Sequence, residues 1–329
     1  MKLQKGKKNS LTDVPGVRVG HVTLYEKLSE DDTICTGVTA ILPHGGNLFQ
    51  EKLPAGCHVF NGFGKTVGLI QLEELGLIES PIMLTNTFSV APVLQGTLQY
   101  MLEQNATIGD TTSTINIVVA ECNDGYLNSI RIPAVKPEHA IQAIENATEA
   151  PVEQGAVGAG KGMVCFGYKG GIGSSSRVLA YEDYQYTVAS LVLSNFGKKD
   201  EAKFFNVSKD SPVNTPDGSI IIVLATDAPL YDRQLKRLAK RAGLGLGRVG
   251  SIMANGSGDI AIAFSTAWRY KHNDQNMTEA IQFLRDDHPI MNRLFQAAIE
   301  STEEAIINSL KYAETTIGRK GRIIKKAPL

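Results

Sequence analysis

Apolar and polar positions alternate over Val17-Arg18-Val19-Gly20-His21-Val22-Thr23, which predicts a strand after the turn Thr12-Asp13-Val14-Pro15-Gly16. Thr36 to Pro43 reads as a second strand, and Pro81 to Thr87 and Thr114 to Ala120 as two more, the last ending at Glu121. Pro54 to Gly64 is dense in glycine, asparagine and small residues and predicts a loop folded close to something. Helical spacing marks Ile70 to Leu75, stopped by Gly76, then Val90 to Gln104, Pro137 to Ala147 and Asn292 to Tyr312. The glycine-dense run Gly155 to Gly173 contains a strand-like stretch at Met163 to Tyr168, and Tyr186 to Leu193 reads as a strand ending at Ser194-Asn195-Phe196-Gly197. Residues 198–218 are charged and then turn-rich, as in a surface loop that survives a break. They end in Thr215-Pro216-Asp217-Gly218 and run straight into Ser219-Ile220-Ile221-Ile222-Val223-Leu224-Ala225-Thr226, a buried strand. Asp227 is placed to cap a helix with Pro229 in its first turn, Leu230, Leu235 and Leu238 inward and Gly243 as its stop. Ser257 to Thr266 is a further buried strand, and residues 1–10 and the segment from Arg319 read as loose ends. Strands follow strands and helices come in separate blocks, so α+β layers are favoured over a doubly wound sheet, within one domain spanning residues 1–329.

Composition adds exclusions. With 43% hydrophobic and 20% charged residues the chain is a globular protein with ample core. Its 33 basic and 34 acidic residues leave a net charge of −1, which argues against nucleic acid or an anionic membrane as partner. No apolar run approaches the ~18 residues of a membrane span, and no secretory signal follows the basic start. Cys35, Cys57, Cys122 and Cys165 are widely separated, which argues against a thiolate metal site or a disulfide framework and for a reducing, cytoplasmic setting.

The candidate chemistry is sparse. Gly155 to Lys161 has the G-x-x-x-x-G-K spacing of a phosphate loop, but Gly162 stands where a hydroxyl must bind Mg²⁺, and close backbone packing explains the glycines as well. The six histidines have no ligand spacing, and no G-x-S-x-G elbow or triad is visible. The Gly218–Ser219 bond is either a plain turn before a strand or a bond the Ser219 hydroxyl attacks. In the second case Ser219 becomes an N-terminus whose α-amine, with an ordinary pKa of about 7.7–8.0, serves as its own base. Ser257 and Asp259 are either a pair that orients this serine or a turn leading into the strand. Glu121 is either an ammonium-binding carboxylate or a solvated loop acid, and Asn195 either an oxyanion donor or a turn residue.

Taken in order, Thr12 to His21, Thr36 to Thr39, Asn61 to Lys65, Glu121 with Asp124-Gly125, Gly155 to Gly173, Ser194 to Gly197, Gly218 to Pro229 and Gly256 to Asp259 with Ala263 to Thr266 resemble the self-processing peptidases of the DmpA-type family. These are the L-aminopeptidase/D-esterases and β-peptidyl aminopeptidases, and the resemblance covers about residues 11 to 320. It implies a four-layer αββα sandwich like that of the N-terminal-nucleophile hydrolases with different connectivity. It implies self-cleavage between Gly218 and Ser219 into residues 1–218 and 219–329, with Ser219 as nucleophile. Ser257 and Asp259 would assist it, where related enzymes carry Glu at the latter position, Asn195 would stabilise the oxyanion, and Glu121 would receive the substrate's amine. Asn123 departs from the aromatic residue some members carry near the substrate, which bears on α- against β-amino acyl preference. The implied partner is a small peptide, amide or ester with a free amine, with no metal or cofactor, and the implied assembly is a tetramer or larger homo-oligomer of αβ units. An acyltransferase of the ornithine acetyltransferase type is the alternative, although that class generally uses threonine where this chain has Ser219.

Overall fold

The computed structural model describes residues 2–204 and 218–329. The turn Thr215-Pro216-Asp217 and most of the segment 198–218 lie outside the described residues. In chain order the long strands are β1 (Arg18–Lys27), β2 (Thr33–Leu42), β3 (Glu51–Gly62), β4 (Ile82–Asn86), β5 (Val118–Cys122), β6 (Gly171–Tyr181), β7 (Tyr184–Asn195), β8 (Ser219–Thr226) and β9 (Gly258–Ser265). The helices are α1 (Leu69–Leu75), α2 (Val90–Gln104), α3 (Pro137–Glu145), α4 (Asp232–Val249) and α5 (Ile290–Lys311).

Two sheets stack face to face. The smaller runs β1-β2-β4-β5, and the larger has β3-β9-β8-β7-β6 as its body, with β8 and β9 parallel and the other neighbours antiparallel. The two-residue period of a strand decides which face each side chain takes. On β8, Ile220, Ile222 and Leu224 pack with Leu235, Leu238 and Ala242 of α4 and Leu294 and Ala298 of α5. Their alternates Ile221, Val223 and Ala225 pack with Ile41, Leu84 and Ala120 of the opposing sheet. The outer face of the small sheet, with Val38, Ala40, Met83 and Val119, is covered by Val93 and Met101 of α2 and Ala140 and Ile144 of α3. The result is the expected αββα sandwich. A strand covered on both faces is apolar along most of its length, and β8 and β9, both wholly buried, are so except at their ends, where Ser219, Thr226, Asp259 and Ser265 lie.

Several expectations fail. Pro54 to Gly64 is mostly strand β3, not a loop: a Cβ on Gly56 would lie 2.6 Å from the Lys236 backbone nitrogen, so its small residues admit α4. Gly171–Tyr181 is a strand the pattern did not reveal, and a Cβ on Gly173 would lie 1.9 Å from the Ala305 carbonyl oxygen of α5. Helix α4 starts at Asp232, not beside Asp227, whose carboxylate accepts from the Thr187 N–H at 2.7 Å. It also runs through Gly243 to stop at Gly250, whose φ is +115°. Met163 to Tyr168 is a tight hairpin, Val164–Cys165 against Tyr168–Lys169, turning at Phe166 and Gly167 with φ of 50° and 69°. Strand β5 starts only at Val118 and runs one residue past Glu121.

Among the described residues, neither the segment 2–10 nor the segment from Arg319 is loose. Gln4 bridges to Val178, the Leu3 N–H donates to Glu300 at 3.0 Å, and Lys5 pairs with Glu304 at 2.6 Å. At the other end Ile323–Ile324 pairs with Thr316–Ile317, and the Lys325 carbonyl accepts from the Lys169 N–H at 2.8 Å. No helix among the described residues is long and apolar enough to cross a membrane.

Candidate active site

Strands β7 and β8 end together, and their last pair is Asn195 opposite Ser219. Parallel pairing of β8 with β9 brings Asp259 beside Ile220, so Ser257 and Gly258 border Ser219. The Gly258 N–H donates to Ser219 Oγ at 3.1 Å, and Ser219 is buried. The preceding Gly218 fills a space that holds no side chain: a Cβ there would lie 1.7 Å from the Asn195 carbonyl oxygen.

The entry to β9 is held by Asn61, whose Nδ2 donates to the carbonyls of Ala254, Asn255 and Ser257. The register against β3 shifts between Asp259 and Ile260, a local irregularity of the kind that re-aims side chains at strand ends. Ser257 Oγ donates to Asp259 Oδ1 at 2.6 Å, so the turn reading and the pair reading coincide in one contact. Asp259 Oδ2 is buried without a hydrogen-bond partner among the described residues. Burial pushes the Asp259 carboxyl up to about 6, against the opposing pull of the Ser257 hydroxyl and the Ile220 amide.

Asn195 is fixed by two contacts that agree on one amide orientation. Its Oδ1 accepts from the Val164 N–H and its Nδ2 donates to the Asn123 carbonyl, both at 2.9 Å. Among the described residues the second Nδ2 proton has no partner. The Asn123 side chain is exposed and turns back to accept from the Gly125 N–H at 2.9 Å, so this residue meets the site through its backbone.

Glu121 is buried, which removes the solvated-acid reading. Its Oε1 accepts from the Lys65 N–H at 2.8 Å and its Oε2 accepts from the Thr87 hydroxyl. A Cβ on Gly64 would lie 3.6 Å from Glu121 Oε1 and 3.8 Å from Gly258 Cα, so this glycine is the thin wall joining the carboxylate to the Ser219 neighbourhood. The Cys122 thiol, pushed well up by burial, also feels the charges of Glu121, Asp259 and Asp124, which places three acids around one strand end. A buried carboxylate met among the described residues by the Lys65 N–H and the Thr87 hydroxyl, with no cationic side chain bonded to it, suits a cationic ligand group.

The sequence pattern did not point to Thr87, to the Lys65 amide or to Lys169. The last is buried between glycines, and its Nζ donates to the carbonyls of Gly160, Met163 and Gly170 at 2.9, 2.8 and 2.7 Å. Gly155 to Lys161 does not form a phosphate loop. Cβ atoms on Gly158 and Gly160 would lie 2.4 Å from Thr39 Oγ1 and 2.6 Å from the Ile172 nitrogen, and Lys161 sits over the Tyr25 ring. None of the six histidines has Ser219, Ser257 or Asp259 as a hydrogen-bond partner among the described residues. Burial lowers His21 to about 4, and it contacts Thr39 at 2.9 Å.

Comparison with known proteins agrees over the whole chain. Residues 9–324 match the model of peptidase family S58. The chain is 39% identical to a β-peptidyl aminopeptidase, BapA, of Sphingosinicella microcystinivorans, over 98% of this chain and 86% of that protein. Among solved structures, the PH0078 protein of Pyrococcus horikoshii matches with a TM-score of 0.92 and 50% identity, over 100% of this chain and 93% of that one. An L-aminopeptidase D-Ala-esterase/amidase of Ochrobactrum anthropi, described as a prototype of the serine aminopeptidases and a variant of the Ntn hydrolase fold, matches with a TM-score of 0.92 and 34% identity, over 99% of this chain and 93% of that one.

Proposed function

This chain belongs to peptidase family S58 and is a serine aminopeptidase of the N-terminal-nucleophile kind, and on that premise we propose that it makes its own nucleophile by cutting before Ser219. The observation that carries the reading is the junction itself. A buried serine opens a strand, its Oγ lies on the Gly258 N–H, and a hydrogen-bonded Ser257–Asp259 pair stands beside it.

Self-cleavage runs as an acyl shift. Ser219 Oγ bonds to the Gly218 carbonyl carbon, the C–N bond to Ser219 breaks, and the nitrogen takes a proton. Water then hydrolyses the ester, leaving a carboxylate on Gly218 and a free amine on Ser219. The fragments are residues 1–218 and 219–329. Asp259 Oδ2, an acceptor without a donor, suits the new amine.

The same serine then acts on substrate. Glu121, near the end of β5, receives the free amine of a short peptide, amide or ester. Ser219 Oγ attacks the carbonyl carbon while its α-amine takes the hydroxyl proton. The spare Nδ2 proton of Asn195 and backbone N–H groups hold the oxyanion, each donor contributing roughly 3–4 kcal/mol. The α-ammonium passes its proton to the leaving nitrogen as that bond breaks, and water releases the N-terminal residue from the acyl-enzyme. Ser257 and Asp259 orient the nucleophile.

BapA is a β-peptidyl aminopeptidase, and β-amino acyl substrates belong to the same proposal. So does assembly as a homo-oligomer of αβ units, while four buried free thiols fit a reducing cytoplasm. The acyltransferase reading is not favoured, since the matched relatives are aminopeptidases. The test is turnover of aminoacyl p-nitroanilides and of their N-acetylated counterparts. Hydrolysis confined to free amines is expected, and equal hydrolysis of both would overturn the role of Glu121.

A further inference from the structure

Lys169 is a buried cation with no carboxylate paired to it among the described residues, in a region the reaction above does not use. An ammonium taken out of water is costly unless its protons are satisfied, and here three carbonyls satisfy them. One of the three, Met163, belongs to the peptide group whose other end is the Val164 N–H. That N–H donates to Asn195 Oδ1 at 2.9 Å, and Asn195 Nδ2 donates to Asn123 at 2.9 Å with one proton to spare. The contacts form one directed chain. It runs from the Lys169 ammonium through the Met163–Val164 peptide to the Asn195 carboxamide.

Each link polarises the next in the same sense. A cation at the Met163 oxygen strengthens the Val164 N–H as a donor, and that donor at Oδ1 draws electron density from Asn195 Nδ2. Gly170 N–H also donates to the Met163 oxygen at 3.1 Å, which fixes the peptide plane. Resting on the reading of Asn195 as oxyanion donor, we infer that Lys169 is a positioning residue of this enzyme, holding and polarising the Asn195 amide through the Met163–Val164 peptide. Burial lowers the Lys169 ammonium to about 7, while its three carbonyl acceptors call for all three ammonium protons.

A purely structural lysine would also hold the glycine-rich hairpin, so the test must separate the two. Lys169→Met, Lys169→Gln, Asn195→Ala and the Met/Ala double variant are made in the full chain. Rates on a free-amine p-nitroanilide are normalised to the cut fraction, with thermal unfolding run alongside. Asn195→Ala is expected to lower kcat by about 100–1000-fold. Lys169→Met should lower kcat on the order of tenfold with KM unchanged, Lys169→Gln less, and the double variant should be no slower than Asn195→Ala. Multiplying effects in the double variant, or a Lys169→Met that loses stability at unchanged kcat, would contradict the inference. Asn195→Ala at the wild-type rate would remove the oxyanion reading and the inference with it, a result distinct from the other two.

If the lysine variants do not fold, the wild-type protein decides. With ¹⁵N-labelled lysine, the most slowly exchanging ammonium signal should shift when a free-amine peptide aldehyde forms its oxyanion adduct on Ser219. A signal that stays in place would overturn the inference.

Discussion

Asn195 and Ser219 are direct cross-strand partners, the last residue of one strand opposite the first of the next. Antiparallel pairing therefore fixes an amide donor and a hydroxyl to a common strand end before any side-chain contact is considered. The backbone carbonyl of that asparagine is also what forbids a side chain at Gly218.

Gly218→Ala follows directly. The added methyl group would lie 1.7 Å from the Asn195 carbonyl oxygen, so the strand end must shift. A displacement of about 1 Å at a reacting group costs roughly 100-fold. Self-cleavage followed on a denaturing gel should slow by at least about that factor, and cleavage at the wild-type rate would count against this packing at the scissile bond.

Asp259→Asn separates stability from activity. The folded carboxyl titrates near 6 because of burial, and an unfolded one near about 3.9. Between those values the folded state holds a proton that the unfolded state has lost, so stability falls as pH rises through the window and the full penalty is present above it. The amide removes that penalty. Denaturant unfolding in the uncut Ser219→Ala background, where no Ser219 ammonium faces the carboxyl, should find Asp259→Asn more stable than its Asp259 parent at pH 8, by at most about 3 kcal/mol, and the difference should close near pH 4. With Ser219 in place, activity should fall by about 100-fold or more. A variant equally stable at both pH values would show the carboxyl to be ordinary.

Glu121→Gln tests the amine anchor. The carboxylate is held by the Lys65 N–H and the Thr87 hydroxyl, so the amide can keep only one of these contacts in its present sense. Replacing an ion pair to a substrate ammonium by a neutral contact should raise KM by about 10–100-fold with a smaller change in kcat. Thr87→Val should move KM in the same direction by less. An unchanged KM in Glu121→Gln would place the ammonium elsewhere.

Gly173→Ala tests the packing of α5 rather than the chemistry. Its methyl group would meet the Ala305 carbonyl oxygen at 1.9 Å, and the helix must move away. Urea unfolding should lose about 1–3 kcal/mol. Unchanged stability would mean that helix and strand leave room for a methyl group.

What the sequence made legible follows from these same contacts. The strand after Ser219 declares itself because both its faces are covered, and its composition is apolar without alternation. Strand β6 and much of β3 hide because backbone presses on them: α5 on Gly173, α4 on Gly56 and the Gly155 carbonyl on Gly171, and the glycines that admit it read as turns. Helix α4 looks shorter than it is because Gly243 and Gly245 are cleared for the Phe60 ring and for the Ile299 carbonyl, not for a chain reversal. At the site, Ser219, Ser257, Asp259 and Asn195 come together through strand pairing, while Glu121 joins them across Gly64. Lys169 left only a weak trace, a lone cation in Tyr168-Lys169-Gly170-Gly171, because its partners are backbone carbonyls that no side-chain pattern records.

The central claim is that the nucleophile is completed by cutting its own chain. The direct measurement is N-terminal sequencing of the smaller fragment of the purified protein, together with its intact mass. The account predicts a fragment beginning Ser219-Ile220-Ile221 and running to Leu329, absent from Ser219→Ala, with peptidase activity only in cut material. A single uncut chain that hydrolyses aminoacyl p-nitroanilides would contradict it.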